Sequence, residues 1–168
     1  GGSSLHYGHD ITRDDGEVLV QARTVIVLLD EHSRPAAAPS YLRDYVDGEL
    51  EAPTPLAVPE AAWTEPPVFT VHVRPSDQDS FGHVNQARYI DFVDDARRAA
   101  GLGALRGVTL SYERETLAGE TLAIAFGPAH PQPGNPSPAA QHAFRMVRVT
   151  DGVVVHRGVV EVDAESAA

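Results

Sequence analysis

The sequence predicts an α+β fold in which one long helix lies on a single antiparallel sheet. Three observations carry that expectation. Past the middle of the chain only one stretch, residues 85–100, has a clear helical period. Strand-like segments stand before and after it, and Asp151-Gly152 joins the last two of them with a strong hairpin signal. One helix with one apolar face needs a single layer to cover it, as expected if a sheet curls around it.

Taken in order, residues 5–12 and 17–29 are expected to be strands flanking Asp14-Asp15-Gly16. The second is rich in Val18, Val20, Thr24, Val25, Ile26 and Val27, a near-continuous run that suits a strand buried on both faces. A short helix is expected over 40–46. Prolines at 53, 55, 59, 66 and 67 mark a semi-rigid linker. Phe69, Val71 and Val73 then alternate with Thr70, His72 and Arg74, which is strand period. A polar loop covers 75–84. In the helix, Tyr89, Phe92, Val93, Ala96 and Ala100 share one face, and Arg88, Asp91, Asp95 and Arg98 the other. Asn85 is a candidate N-cap and Gly101 a C-terminal stop. Strands are expected over 107–115, 119–127, 141–150 and 153–163, with a Pro-rich loop from His130 to Pro138.

A partial repeat runs across this plan. His6 stands ten residues before Gly16, and His142 ten before Gly152. Gly16-Glu17-Val18-Leu19-Val20 and Gly152-Val153-Val154-Val155-His156 each open a valine-rich strand. Two hairpins can look alike by chance, but a duplicated domain gives the same pattern. Its first copy would then be present only as its last strands. The expected organisation is a partial unit over 1–52, a linker over 53–66, a complete domain over 67–164 and a tail over 165–168.

Composition narrows the function. The chain has 168 residues and a net charge of −11, which disfavours nucleic acid as a partner because phosphate binding needs a Lys/Arg surplus. No cysteine is present, which excludes disulfides and a thiolate nucleophile. No apolar run approaches the roughly 18 residues of a membrane span, and no signal peptide is visible, so a cytoplasmic location is expected. The start, Gly1-Gly2-Ser3-Ser4 without Met, fits an added leader or a position within a longer protein. His6 and His9 are the nearest histidine pair and lack a third ligand at convincing spacing, so neither a metal nor another cofactor is expected.

Chemistry concentrates where the first strand of the complete domain meets the helix, from Arg74 to Tyr89. A helix start offers free N–H groups and a positive dipole end, suited to a carbonyl oxygen that gains negative charge on attack. A carboxylate beside it can activate water or attack the carbonyl itself. Asp77-Gln78-Asp79-Ser80-Phe81-Gly82-His83-Val84-Asn85-Gln86-Ala87-Arg88-Tyr89 resembles the Asp-x-Asp-x-x-Gly-His-Val-Asn-Asn-x-x-Tyr signature of hotdog thioesterases. These are of the 4-hydroxybenzoyl-CoA thioesterase and acyl-ACP thioesterase type. Gln86 replaces the second Asn.

The resemblance implies a hotdog fold, a curved antiparallel sheet wrapped around one long helix, and an acyl-CoA or acyl carrier protein substrate. Asp79 aligns with the family's acidic residue, as general base or nucleophile. His83 and Asn85 align with residues that orient water or substrate, and Asn85 serves equally as an N-cap. The Gln86 N–H falls where the oxyanion contact is made, and Phe81, Gly82, Gln86 and Tyr89 are expected near substrate. Leu110-Ser111-Tyr112-Glu113-Arg114-Glu115-Thr116 resembles the Tyr-x-x-Glu-Cys pattern of plant acyl-ACP thioesterases, with Glu115 at the Glu and Thr116 at the Cys. Some of those enzymes have Asn at the position of Phe81, and Phe81-Gly82-His83 looks closer to bacterial acyl-CoA thioesterases. Acyl-CoA hydrolysis is therefore the leading expectation. Acyl-ACP hydrolysis and a non-catalytic acyl-binding or assembly unit are the alternatives, and a hotdog dehydratase ranks low. Hotdog units pair, so a homodimer or a double-unit protein is expected.

Overall fold

The computed structural model describes residues 3–32, 34–45, 66–128 and 139–164. Most of the expected linker, the loop from His130 to Pro138 and the tail lie outside the described residues. The chain divides into two compact units, Gly1–Pro55 and Leu56–Ala168.

The first unit is a hairpin of β1 (Ser4–Thr12) and β2 (Val18–Val27), paired Ser4 to Val27 and turning at Gly16, followed by a 3-10 turn over Ser40–Tyr45. The strands fall where the sequence periodicity puts them, but β2 is not buried on both faces. Val18 and Val20 are each 52% exposed. The physical reason is that, among the described residues, β1 is the only strand beside it, and a two-stranded ribbon by itself supplies no second layer to cover it. Leu5 opposite Ile26 and Ile11 opposite Val20 place four apolar side chains on one face of the ribbon.

The second unit holds β3 (Phe69–His72), α1 (Gln86–Ala99), β4 (Leu105–Tyr112), β5 (Thr121–Pro128), β6 (Ala140–Arg148) and β7 (Val154–Val162). The sheet order is β3-β5-β6-β7-β4, antiparallel throughout. The helix thus leaves one edge strand and returns to the other. Tyr89, Phe92, Val93 and Ala96 form its buried face and pack on Leu122, Ile124, Phe144, Met146, Val160 and Val162. Each large side chain so buried contributes about 1.5–3 kcal/mol. This is the predicted α+β arrangement, one helix held by a curved antiparallel sheet.

Three details sharpen the sequence reading. Asn85 is the N-cap, its side chain accepting from the Ala87 N–H. Arg97 is buried on the helix beside the apolar face, where it bonds Asp94 and the carbonyls of Leu102 and Gly103 and so ties down the chain after the helix. Ala100 is the half-buried C-cap rather than a core residue.

The β6–β7 hairpin has the same plan as β1–β2, with a glycine of positive φ in each turn and one register irregularity in each ladder near it.

Gly158 in β7 is fixed by close approach. A Cβ there would lie 2.1 Å from the Thr109 carbonyl oxygen and 2.5 Å from the Phe144 ring. Gly158→Ala is expected to lose about 1–3 kcal/mol of stability by overpacking, read as a lower denaturation midpoint.

Candidate active site

The loop between β3 and α1 is built around Asp77. Its carboxylate is 1% exposed and accepts from the Arg74 N–H at 2.8 Å and from the guanidinium groups of Arg74 and Arg88 at 3.1 and 3.0 Å. Burial alone would raise its pKa. The Arg74 and then Arg88 hydrogen bonds outweigh burial and hold it at about 2. The Asp77 carbonyl also accepts from the Asn85 N–H at 2.9 Å, so the same residue fixes the helix entrance.

A group with a lowered folded pKa stabilises the fold above its unfolded value, near 3.8, and that contribution fades as pH falls toward 2. Asp77→Asn is expected to lose about 1–2 kcal/mol at neutral pH, after discounting for the exposed Arg74 partner. Its stability should also depend less on pH between 4 and 2, which denaturant melts at several pH values would show.

Beyond Asp77 the chain makes a tight excursion. Gln78 bridges Val84, and the Asp79 N–H donates to the His83 carbonyl at 2.8 Å. The Asp79 carboxylate accepts from the N–H groups of Phe81 and His83 at 2.9 and 3.3 Å, both on Oδ1. Among the described residues Oδ2 takes no hydrogen bond. The carboxylate is therefore oriented by its own loop and keeps an open oxygen.

A cleft of about 290 Å³ opens beside this loop. Asp79, His83, Gln86, Tyr89 and Glu115 line it, together with Val84, Tyr112, Glu113, Arg114, Thr116 and His156. His83 Nε2 lies 3.4 Å from Glu115 Oε2, and both side chains are more than half exposed, so the pair adds little stability and is free to engage a ligand. Arg148 donates to the Glu115 carbonyl at 2.8 Å and holds that segment against the sheet. The cap bond occupies the Ala87 N–H, and the Gln86 N–H has no acceptor among the described residues. Tyr112 Oη donates weakly, at 3.4 Å, to the Gln86 carbonyl.

Three of the expected residues stand apart. Phe81 and Gly82 form the loop tip, Phe81 being 84% exposed, and neither lines the cleft. Asn85 does not line it either; its side-chain oxygen is spent on the helix cap.

The cleft also contains residues that the sequence did not single out as site residues. His156 is 1% exposed and Thr116 fully buried. The His156 ring meets Tyr89 edge-on at 4.0 Å and Tyr112 at 5.2 Å between centroids. Burial pushes the imidazole pKa down to about 4, so it is neutral near pH 7. A lone His in a valine-rich strand carries no local signal. Only the sheet order, which sets β7 beside β4 and under the helix, brings it to the site. The described residues contain no group of three or more His, Asp or Glu placed to hold a metal. No described helix is long and apolar enough to cross a membrane.

The sheet around one helix, with a cleft at the helix start, defines a hotdog fold. Residues 61–157, more than half of the chain, match the family described as acyl-ACP thioesterase C-terminal domain, and the chain belongs to that family. No curated protein sequence matches it.

Among solved structures it is similar to an acyl-ACP thioesterase from Bacteroides thetaiotaomicron (TM-score 0.67, 23% identity, covering 96% of this chain and 63% of that one). It is also similar to a protein described as an oleoyl thioesterase from Lactobacillus plantarum (TM-score 0.70, 20% identity, 98% and 65%). A third is a 12:0-ACP thioesterase from Umbellularia californica (TM-score 0.62, 18% identity, 96% and 61%). At these identities the likeness speaks for the fold. The chain spans less than two-thirds of the length of each of these relatives.

Proposed function

We propose that this chain carries the hydrolytic half of an acyl-ACP thioesterase, in which water cleaves an acyl thioester to a free acid and a thiol. The observation that carries this reading is the meeting of the Asp79 carboxylate and the start of α1 in one cleft. The thioester carbonyl would point its oxygen at the free Gln86 N–H, where the helix dipole favours the negative charge that grows on attack. Asp79 would act through Oδ2, either taking a proton from water or adding to the carbonyl carbon itself. The His83–Glu115 pair borders the same space and would orient the water or the leaving thiol. No cofactor enters the reaction.

Family membership favours the acyl carrier protein over coenzyme A as carrier, and the cleft agrees. Arg114 is the one arginine among its described lining residues, a thin provision for the several phosphates of coenzyme A on a chain of net charge −11. The sequence Phe81-Gly82-His83 favours the acyl-CoA reading. Thiol release from one acyl chain presented on each carrier separates them. Release is expected from both, faster from acyl-ACP; release from neither would leave an acyl-binding unit.

The exposed apolar face of β1–β2 and its likeness to β6–β7 support reading residues 1–52 as the last strands of a second hotdog unit. Such a face needs a helix over it, as α1 covers the larger sheet. A paired arrangement of units, with the cytoplasm as the expected location, completes this reading.

A further inference from the structure

The cleft floor is more polar than a saturated acyl chain requires. His156 and Thr116 are both at most 1% exposed and both line the cleft; the threonine hydroxyl is turned to the Tyr89 hydroxyl and one imidazole nitrogen to the Ser111 backbone, each short of full hydrogen-bond geometry, and the second imidazole nitrogen has no partner among the described residues. Buried polar groups are almost always paired, so an unpartnered imidazole nitrogen beside a hydroxyl with bonding capacity to spare, both lining one cavity, asks for a ligand that pairs them. An alkyl chain laid over them would shut out water and leave the imidazole nitrogen unmatched.

The positions suit the acyl portion of a thioester. Tyr89 is three residues beyond Gln86 in α1, which sets it about 4.5 Å further along the helix axis. Its ring is the one His156 meets edge-on. A carbonyl oxygen held at the Gln86 N–H therefore places the first few acyl carbons near this floor. The polarity also has a direction. One ring nitrogen of His156 is turned to the backbone of Ser111, short of full hydrogen-bond geometry. If that nitrogen carries the proton, the other presents a lone pair, since a neutral imidazole has one donor and one acceptor. A lone pair needs a donor. Thr116 can accept or donate.

We propose that His156 and Thr116 form a specificity site for a hydroxyl group borne by the acyl chain close to its thioester carbonyl, so that the preferred substrate is a hydroxyacyl thioester. This rests on the reading of the cleft as an acyl-thioester site. The hydroxyl donates to the free nitrogen of His156 and exchanges a hydrogen bond with Thr116. A saturated chain of the same length forfeits both.

The test compares 3-hydroxydecanoyl-ACP with decanoyl-ACP on the full chain, by kcat/KM, and the binding of the two matching non-hydrolysable thioether analogues by calorimetry. The expected result is a preference of about tenfold or more for the hydroxylated member in both measurements, since a site that pairs a hydroxyl rejects the analogue lacking it. His156→Phe should abolish the preference and His156→Gln, which keeps an acceptor, should restore part of it. Thr116→Val, a milder change, covers the case in which His156→Phe does not fold. In spectra of the 15N-histidine-labelled protein, the ring-nitrogen signals of His156 should move with the hydroxylated analogue and not with its saturated counterpart.

Equal or reversed preference in the parent chain overturns the proposal, as does an ordered water satisfying His156 and Thr116 with either analogue bound. Absence of hydrolysis with a retained binding preference would sink the hydrolase reading and leave the specificity site standing.

Discussion

Asp79→Asn is expected to lower thioester hydrolysis by about 10²–10⁴-fold while leaving the fold and substrate binding intact. The substitution is nearly isosteric, and its side-chain oxygen can still accept from the Phe81 and His83 N–H groups that Oδ1 now engages. The loop should hold its shape, so the loss belongs to chemistry. It should fall on kcat, because a group that moves a proton or attacks in the transition state adds little to ground-state binding. Unchanged turnover would remove Asp79 from the reaction. A loss confined to KM would make it a binding residue.

The second large effect tests the other side of the cleft. Gln86 is the first residue of α1, and its N–H is the donor assigned to the oxyanion. Proline is well tolerated at that position, because its fixed φ suits the first turn and the missing N–H breaks no helical hydrogen bond. Asn85 already has the extended ψ of 133° that a following proline favours. Gln86→Pro therefore deletes the donor and spares the helix. A fall of about 10²–10³-fold in kcat with an unchanged melting temperature is expected, the size of effect seen when one oxyanion donor is removed. If activity survives, the oxyanion is stabilised elsewhere.

Local patterning made the architecture legible. The 3.6-residue period of Tyr89, Phe92, Val93 and Ala96 and the alternation over residues 69–74 follow from which side chains face the core, and both elements lie where those patterns set them. Patterning misled in the first unit. The valine run of β2 describes a strand made to be covered, and the sequence does not say whether the cover is at hand.

In the candidate site, part of the polar segment from Asp77 to Gln86 lines the cleft, but residue type alone did not assign the parts. Asp77 and Asp79 are two residues apart and chemically identical. The motif set Asp79 apart, and the arginines that close on Asp77 add a physical difference: they make Asp77 the loop's anchor, while Asp79 lines the cleft. Phe81 and Gly82 sit inside the motif yet do not line the cleft, since the tight Gln78–Val84 excursion leaves its tip in solvent. His156 was beyond reach of local signals, and Thr116 entered only as the residue at the Cys of the Tyr-x-x-Glu-Cys pattern, with no role of its own. Thr116 lies past the end of β4 and His156 in β7, some forty residues later, and only strand pairing and the helix above them make them neighbours of Tyr89.

Hydrolysis at this cleft requires that one carbonyl meet Asp79 and the start of α1 together. A crystal structure with a non-hydrolysable ketone analogue of an acyl thioester measures this directly. The carbonyl oxygen should lie within about 3 Å of the Gln86 nitrogen, with the carbonyl carbon facing Asp79 Oδ2 directly or across one water. An analogue seated with its carbonyl turned away from the helix, or bound outside the cleft, would contradict the proposed chemistry.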